Sequence, residues 1–233
     1  MIKLPSVLNP LALAMLIVVG FATPGWADPV VPCENNTPLQ DYINLGSTGC
    51  NIGNLLFSNF SYPPGQYLDA EVIPASNVIV QTHSGPNAGL TFEGEWYSTF
   101  VGTLSQQLAY SVVEMSNQPL IAGAALSFEG YAGAAINAFA SVSQTLCLGA
   151  PFAPCGATTV LFVSTSGVPS FSTSIVPVTV LGVQTTIFVN GGNGQAEVDA
   201  FTNTFSQVPE PGLLLLLGLG ASGFIARRRQ PRV

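Results

Sequence analysis

Apolar and polar residues alternate with period two through most of the stretch from residue 28 to residue 206. In residues 107–114, Leu108, Tyr110 and Val112 fall on one face, and Gln107, Ala109, Ser111 and Val113 on the other. The same alternation, enriched in β-branched and aromatic residues, predicts strands over 55–62, 77–82, 158–164, 171–180 and 183–190. Residues 196–205 alternate as well, placing Ala196, Val198, Ala200, Thr202 and Thr204 opposite Glu197, Asp199, Phe201, Asn203 and Phe205. Residues 120–148 carry both signals. Alanine runs favour a helix, but Gly123, Gly130 and Gly133 weaken it and Ile136, Ala138, Ala140 and Val142 keep period two, so this stretch is read as two or three small-residue strands. Gly, Pro and Asn turns recur at 63–65, 84–87, 149–151, 167–169 and 190–194. Many short strands between such turns predict an all-β fold, an antiparallel β-sandwich, with an up-and-down β-barrel as the alternative.

The two ends break the pattern. At the front, Lys3 precedes an apolar run over 11–19, the breaker Pro24-Gly25, and then Gly25-Trp26-Ala27. A positive start, a short apolar run and small residues at −3 and −1 are the marks of a secretory signal peptide, here 1–27 with cleavage after Ala27. At the back, Val208-Pro209-Glu210-Pro211 precedes fifteen largely apolar residues, 212–226, and then Arg227-Arg228-Arg229. Two prolines around one glutamate hold the backbone extended, which suits a protease that reads strand-like peptide. At about 1.5 Å per residue, the apolar run reaches about 22 Å as a single transmembrane helix. Snorkelling arginines and local thinning make up the ~30 Å hydrocarbon core. The arginines are expected to stay cytoplasmic, which leaves the body outside.

The order of these three parts closely resembles the PEP-CTERM sorting signal, on Pro209, Glu210 and Pro211 with Arg227, Arg228 and Arg229 as the basic stop-transfer end. The resemblance implies that residues 207–233 are a sorting and anchor tail recognised by an exosortase, a membrane transpeptidase of Gram-negative bacteria that make extracellular polysaccharide. Residues 39–62 and 188–207 also look like parts of a recurring group of PEP-CTERM proteins, a likeness that implies architecture and no activity.

Charge sharpens this picture. The chain has five Lys and Arg, and none lies between Lys3 and Arg227. The body, residues 28–206, carries eleven carboxylates and a formal charge of −11. A surface without cations repels phosphate and has no means of releasing counterions, so nucleic-acid binding is excluded.

Four cysteines in an exported chain read as disulfides, of three possible connectivities, with the local pairs Cys33–Cys50 and Cys147–Cys155 preferred; their spacing matches no zinc pattern. His83 is the only histidine, in a Thr-His-Ser-Gly-Pro turn, and no serine sits in a nucleophile elbow. Glu93 with Glu95, and Glu197 with Asp199, each share one face of a strand and read as solvated acidic edges. Glu93, Glu95 and Trp96 make up the one stretch suited to facing a glycan. Clustered oxygens leave calcium open, though without EF-hand spacing; no other cofactor or metal is expected. The expectation is an exported, non-catalytic surface or matrix protein with a structural or adhesive role. Its expected partners are exosortase, the membrane through the C-terminal helix, and extracellular polysaccharide. The alternatives are a calcium-dependent glycan-binding module or a secreted glycan-active enzyme.

Overall fold

The computed structural model describes residues 30–116, 120–134, 136–151, 155 and 157–208. The signal peptide with Ala27, the motif residues Pro209, Glu210 and Pro211, the 212–226 span and the terminal arginines lie outside the described residues. Among the described residues no helix is long and apolar enough to cross a membrane.

The chain opens with β1 (Val31–Pro32), β2 (Thr37–Pro38), a one-turn helix α1 (Leu39–Asn44), β3 (Cys50–Ile52) and β4 (Leu55–Ser61). β5 (Gln66–Ala70), β6 (Ile79–His83), β7 (Asn87–Glu114) and β8 (Leu120–Ala132) follow. The body closes with β9 (Phe139–Leu148), β10 (Thr158–Ser164), β11 (Ser170–Val178), β12 (Val180–Asn190) and β13 (Gln195–Val208). The all-β expectation holds, and the 120–148 stretch resolves into the two strands β8 and β9.

The 28-residue strand β7 organises the molecule. Its first half, up to Thr99, pairs with β13 on one side and β6 on the other. Its second half, from Thr103, pairs with β12 and β4. Between them the chain turns at Phe100, where φ is +47°, and the Phe100 N–H donates to the Gly194 carbonyl at 2.6 Å. β7 thus belongs to two sheet arms. One runs β11–β8–β13–β7–β6–β2, the other β10–β9–β12–β7–β4–β3–β1, and β5 joins both at the bend through Leu68↔Thr103 and Ala70↔Ser98. All pairings are antiparallel except β1 with β3. β10 and β11 end the two arms without pairing to each other, so the sheet folds into a sandwich-like pair of layers rather than closing as a barrel.

The arms meet through aromatic rings. Phe57 of β4 lies 6.1 Å from Phe205 of β13, Phe92 lies 5.9 Å from Tyr110 on the other half of the same strand, and Phe92 stacks on Phe201 at 5.0 Å. The Asn203 amide donates to the Tyr110 hydroxyl at 2.8 Å, which gives the buried amide nitrogen and the buried hydroxyl a partner. Burial pushes the Tyr110 phenol well above its ordinary value, and the bond from Asn203 offsets part of that.

Both expected disulfides are present, with Cα–Cα separations of 4.8 Å for Cys33–Cys50 and 5.0 Å for Cys147–Cys155. The first ties β1 to β3, where Gly49 has φ +62° and a Cβ would stand 2.2 Å from the Phe57 carbonyl oxygen. Only glycine fits that approach. The helix α1, which strand periodicity does not reveal, buries Leu39 and Tyr42 on one side. Tyr42 meets Phe60 edge-on at 5.2 Å and donates to the Glu34 carbonyl at 2.5 Å.

Candidate functional site

The paired strands β7, β13 and β8 build the most chemically marked surface. Residues directly opposite each other in an antiparallel ladder put their side chains on the same face. Glu197 of β13 stands opposite Tyr97 of β7 and Tyr131 of β8, so one row across three strands reads Tyr97, Glu197, Tyr131. Both tyrosines are exposed, at 38% and 57%. Two residues away along their own strands, on the same face, lie Glu95 and Glu129.

Between Val198 and Ala200 the register shifts on both sides of β13. This bulge reverses the strand. Ala196 and Val198 are buried before it, and Phe201, Asn203 and Phe205 after it. The sequence expectation of one alternation through 196–205 therefore fails at Asp199. The reversal turns Glu197 and Asp199 outward at one end of β13 while its other end fills the aromatic core.

Next to this row Glu71, Glu93, Glu95, Glu129 and Asp199 line an open cleft of about 620 Å³, with Tyr97 on its rim and the 72–74 segment on its far wall. Two acidic pairs that read as separate solvated edges are thus neighbours, joined by carboxylates from β8 and from the segment after β5. Burial first, then a hydrogen bond and charge from Asp199, then charge from Glu95, raise the Glu197 carboxyl above its ordinary range. Glu93 accepts a hydrogen bond from the Gln81 amide.

Trp96 is not on this face. Glu93, Glu95 and Tyr97 alternate outward, so Trp96 points inward and is fully buried, 5.6 Å from Phe201. Its indole N–H donates to the Tyr62 hydroxyl at 2.8 Å, and burial pushes the Tyr62 phenol up to about 12. The expected glycan-facing role of Trp96 is not met, because its ring is buried in the core; Tyr97, one position on, is the exposed ring of this stretch. Tyr131 and Glu129 carry no mark in the sequence. The signal for them is the strand register, which a sequence does not print.

His83 ends β6 rather than sitting in a turn. Its Nε2 pairs with the Thr91 hydroxyl at 2.6 Å, and Thr91 pairs with the Thr202 hydroxyl at 2.6 Å, a polar chain across three strands. Among the described residues no set of three or more His, Cys, Asp or Glu side chains is arranged to hold a metal ion.

Val208, the first sorting-motif residue, is the last residue of β13 and pairs with Leu120. Pro209, lacking an N–H, has nothing to donate to the ladder at the next position. The fold therefore holds the chain to the edge of the motif.

The PEP-CTERM protein-sorting motif matches residues 207–230. The chain carries this motif, which spans Val208, Pro209, Glu210, Pro211 and the three arginines from Arg227, and it marks an exported protein processed by exosortase. No curated protein matches the chain. Among solved structures, that of TmCBM61 in complex with β-1,4-galactotriose aligns at 14% identity and a TM-score of 0.31, over 73% of this chain and 98% of the other. A likeness at that score carries no argument about fold detail or ligand.

Proposed function

We propose that the body is a non-catalytic, adhesion-type domain of the cell surface or extracellular matrix, delivered by the signal peptide 1–27 and released or anchored through its tail by exosortase. The observation that carries this reading is the sorting motif that begins at the end of the last strand: a folded cargo of about one domain ends where the processing signal begins. In this reading the apolar run 212–226 holds the chain in the inner membrane until processing.

A second reading, that the body contacts extracellular polysaccharide, is favoured by the Tyr97–Glu197–Tyr131 row. Exposed phenol rings offer apolar faces for sugar C–H groups, and the adjoining carboxylates accept hydrogen bonds from sugar hydroxyls. An acidic cleft favours neutral or cationic glycans and repels anionic ones. This contact needs no calcium and breaks no bond.

The test is co-sedimentation of the surface-extracted protein with neutral, amino-sugar and uronic-acid polysaccharides, with and without EDTA. Retention by neutral or amino-sugar chains, unchanged by EDTA, weakened in Tyr97→Ala and Tyr131→Ala, with no new reducing ends, is expected. Reducing ends that vanish in Glu93→Gln or Glu95→Gln would instead make the cleft an enzyme site. Loss of retention in EDTA would make it a calcium-dependent module.

A further inference from the structure

We infer that β10 is a homotypic docking strand, through which two copies of this chain join edge to edge into one continuous sheet. β10 ends its arm and pairs with β9 alone, in unbroken register from Thr158↔Cys147 to Ser164↔Ser141. The Ser164 N–H donates to the Val168 carbonyl instead of to β9. By the two-residue period of an antiparallel ladder, Val160 and Phe162 likewise turn their backbone N–H and C=O groups to the free edge. Their side chains are 60% and 49% exposed, while those of Leu161 and Val163 are buried.

Natural edge strands are blunted by lysine, inward charges, proline, bulges or extreme shortness. β10 has none of these. The other arm's outermost strand, β11, carries Pro177 and a register break between Ser174 and Val178, and β1 and β2 are two residues each. β5, which pairs with β7 alone, carries a register break between Leu68 and Ala70 with Asp69 at it, so among the described residues the unguarded edge is confined to β10.

Charge selects the occupant. The body is strongly acidic and has no Lys or Arg, so two copies repel each other over most of their surfaces. Residues 130–196, which include β9, β10, β11 and β12, contain no Asp, Glu, Lys, Arg or His. The acidic cleft draws its carboxylates from outside that stretch. An edge in this uncharged region is where a second copy approaches without facing a carboxylate. An edge paired antiparallel with itself is two-fold symmetric and closes as a dimer, each Val160 and Phe162 lying along its counterpart strand.

The test is sedimentation velocity of the surface-extracted protein at micromolar concentration over a range of NaCl. The expected result is a dimer that strengthens with salt, because screening removes body repulsion while the neutral edge is unaffected. Val160→Pro removes an N–H that faces the free edge and leaves the β9 ladder intact. It is expected to weaken association about ten-fold or more with unchanged circular dichroism and melting. Phe162→Lys, a gatekeeper charge at the same edge, is the second variant and is expected to do the same. Amide exchange at Val160 and Phe162 slows only in the dimer. A monomer at every salt concentration, or a dimer equally strong in both variants, overturns the inference. Loss of polysaccharide retention, and not of dimer, in Val160→Pro overturns it in favour of a glycan at that edge.

Discussion

Trp96 and Tyr97 are adjacent in sequence and opposite in role. Trp96 fills the core between Phe201 and Tyr62, and Tyr97 stands at the cleft rim. Trp96→Ala is expected to cost about 3–5 kcal/mol in urea unfolding, whereas Tyr97→Ala leaves the midpoint within about 0.5 kcal/mol. Equal losses would mean that the two faces of β7 are not as described. Glu197 makes a separate prediction. Because the fold raises its pKa above the 4.5 of a free side chain, the folded protein binds that proton more tightly than the unfolded chain. The stability from this group is fully present below pH 4.5 and declines as pH rises through the raised value. In Glu197→Gln that part of the decline disappears. Urea midpoints against pH for both proteins check this, and parallel curves would contradict it.

The strands legible in the sequence are those whose alternation is uninterrupted. β10, β12 and the second half of β7 fall within a few residues of expectation because each keeps one face on the core throughout, and β4 is the exception, legible although it switches faces between Phe57 and Ser58. The first half of β7 is legible only at Glu93 and Glu95, read as one strand face, because Gly89 and Gly94 interrupt the rest and glutamate is poor in strand propensity. β5 is read as a connection because nearly all its side chains are exposed. α1 is too short for a 3.6-residue period to register. The bulge in β13 hides because Ala200 and Phe201 are both apolar enough to pass for either face. The cleft was legible only as separate Glu-x-Glu and Glu-x-Asp pairs; pairing strands distant in sequence brings them together. At this scale the Cys33–Cys50 link fixes the otherwise two-residue strand β1 to β3. Closing a loop of this length is worth about 3 kcal/mol in the entropic account. Replacing both cysteines with alanine is expected to lower stability by about that amount in denaturant unfolding. An unchanged midpoint would contradict the assignment of a structural staple.

As a whole, the molecule is an acidic body with no internal Lys or Arg, held by aromatic packing and two disulfides, and followed by a sorting motif. Self-repulsion among eleven carboxylates has no Lys or Arg to offset it. Moderate NaCl is therefore expected to raise the melting temperature by a few degrees, and a fall would contradict the charge account. The Lys and Arg residues of the chain, apart from Lys3, all lie in the tail, so the proposed exosortase cleavage would turn a membrane-held chain into an acidic body with neither. That change is the central claim, and intact-mass analysis of the protein extracted from the surface of exosortase-competent cells reads it directly. The account predicts a mass that begins at Asp28 and lacks residues 212–233, with the full tail kept in cells without exosortase. A surface-extracted mass that still includes residues 212–233 in competent cells would contradict it.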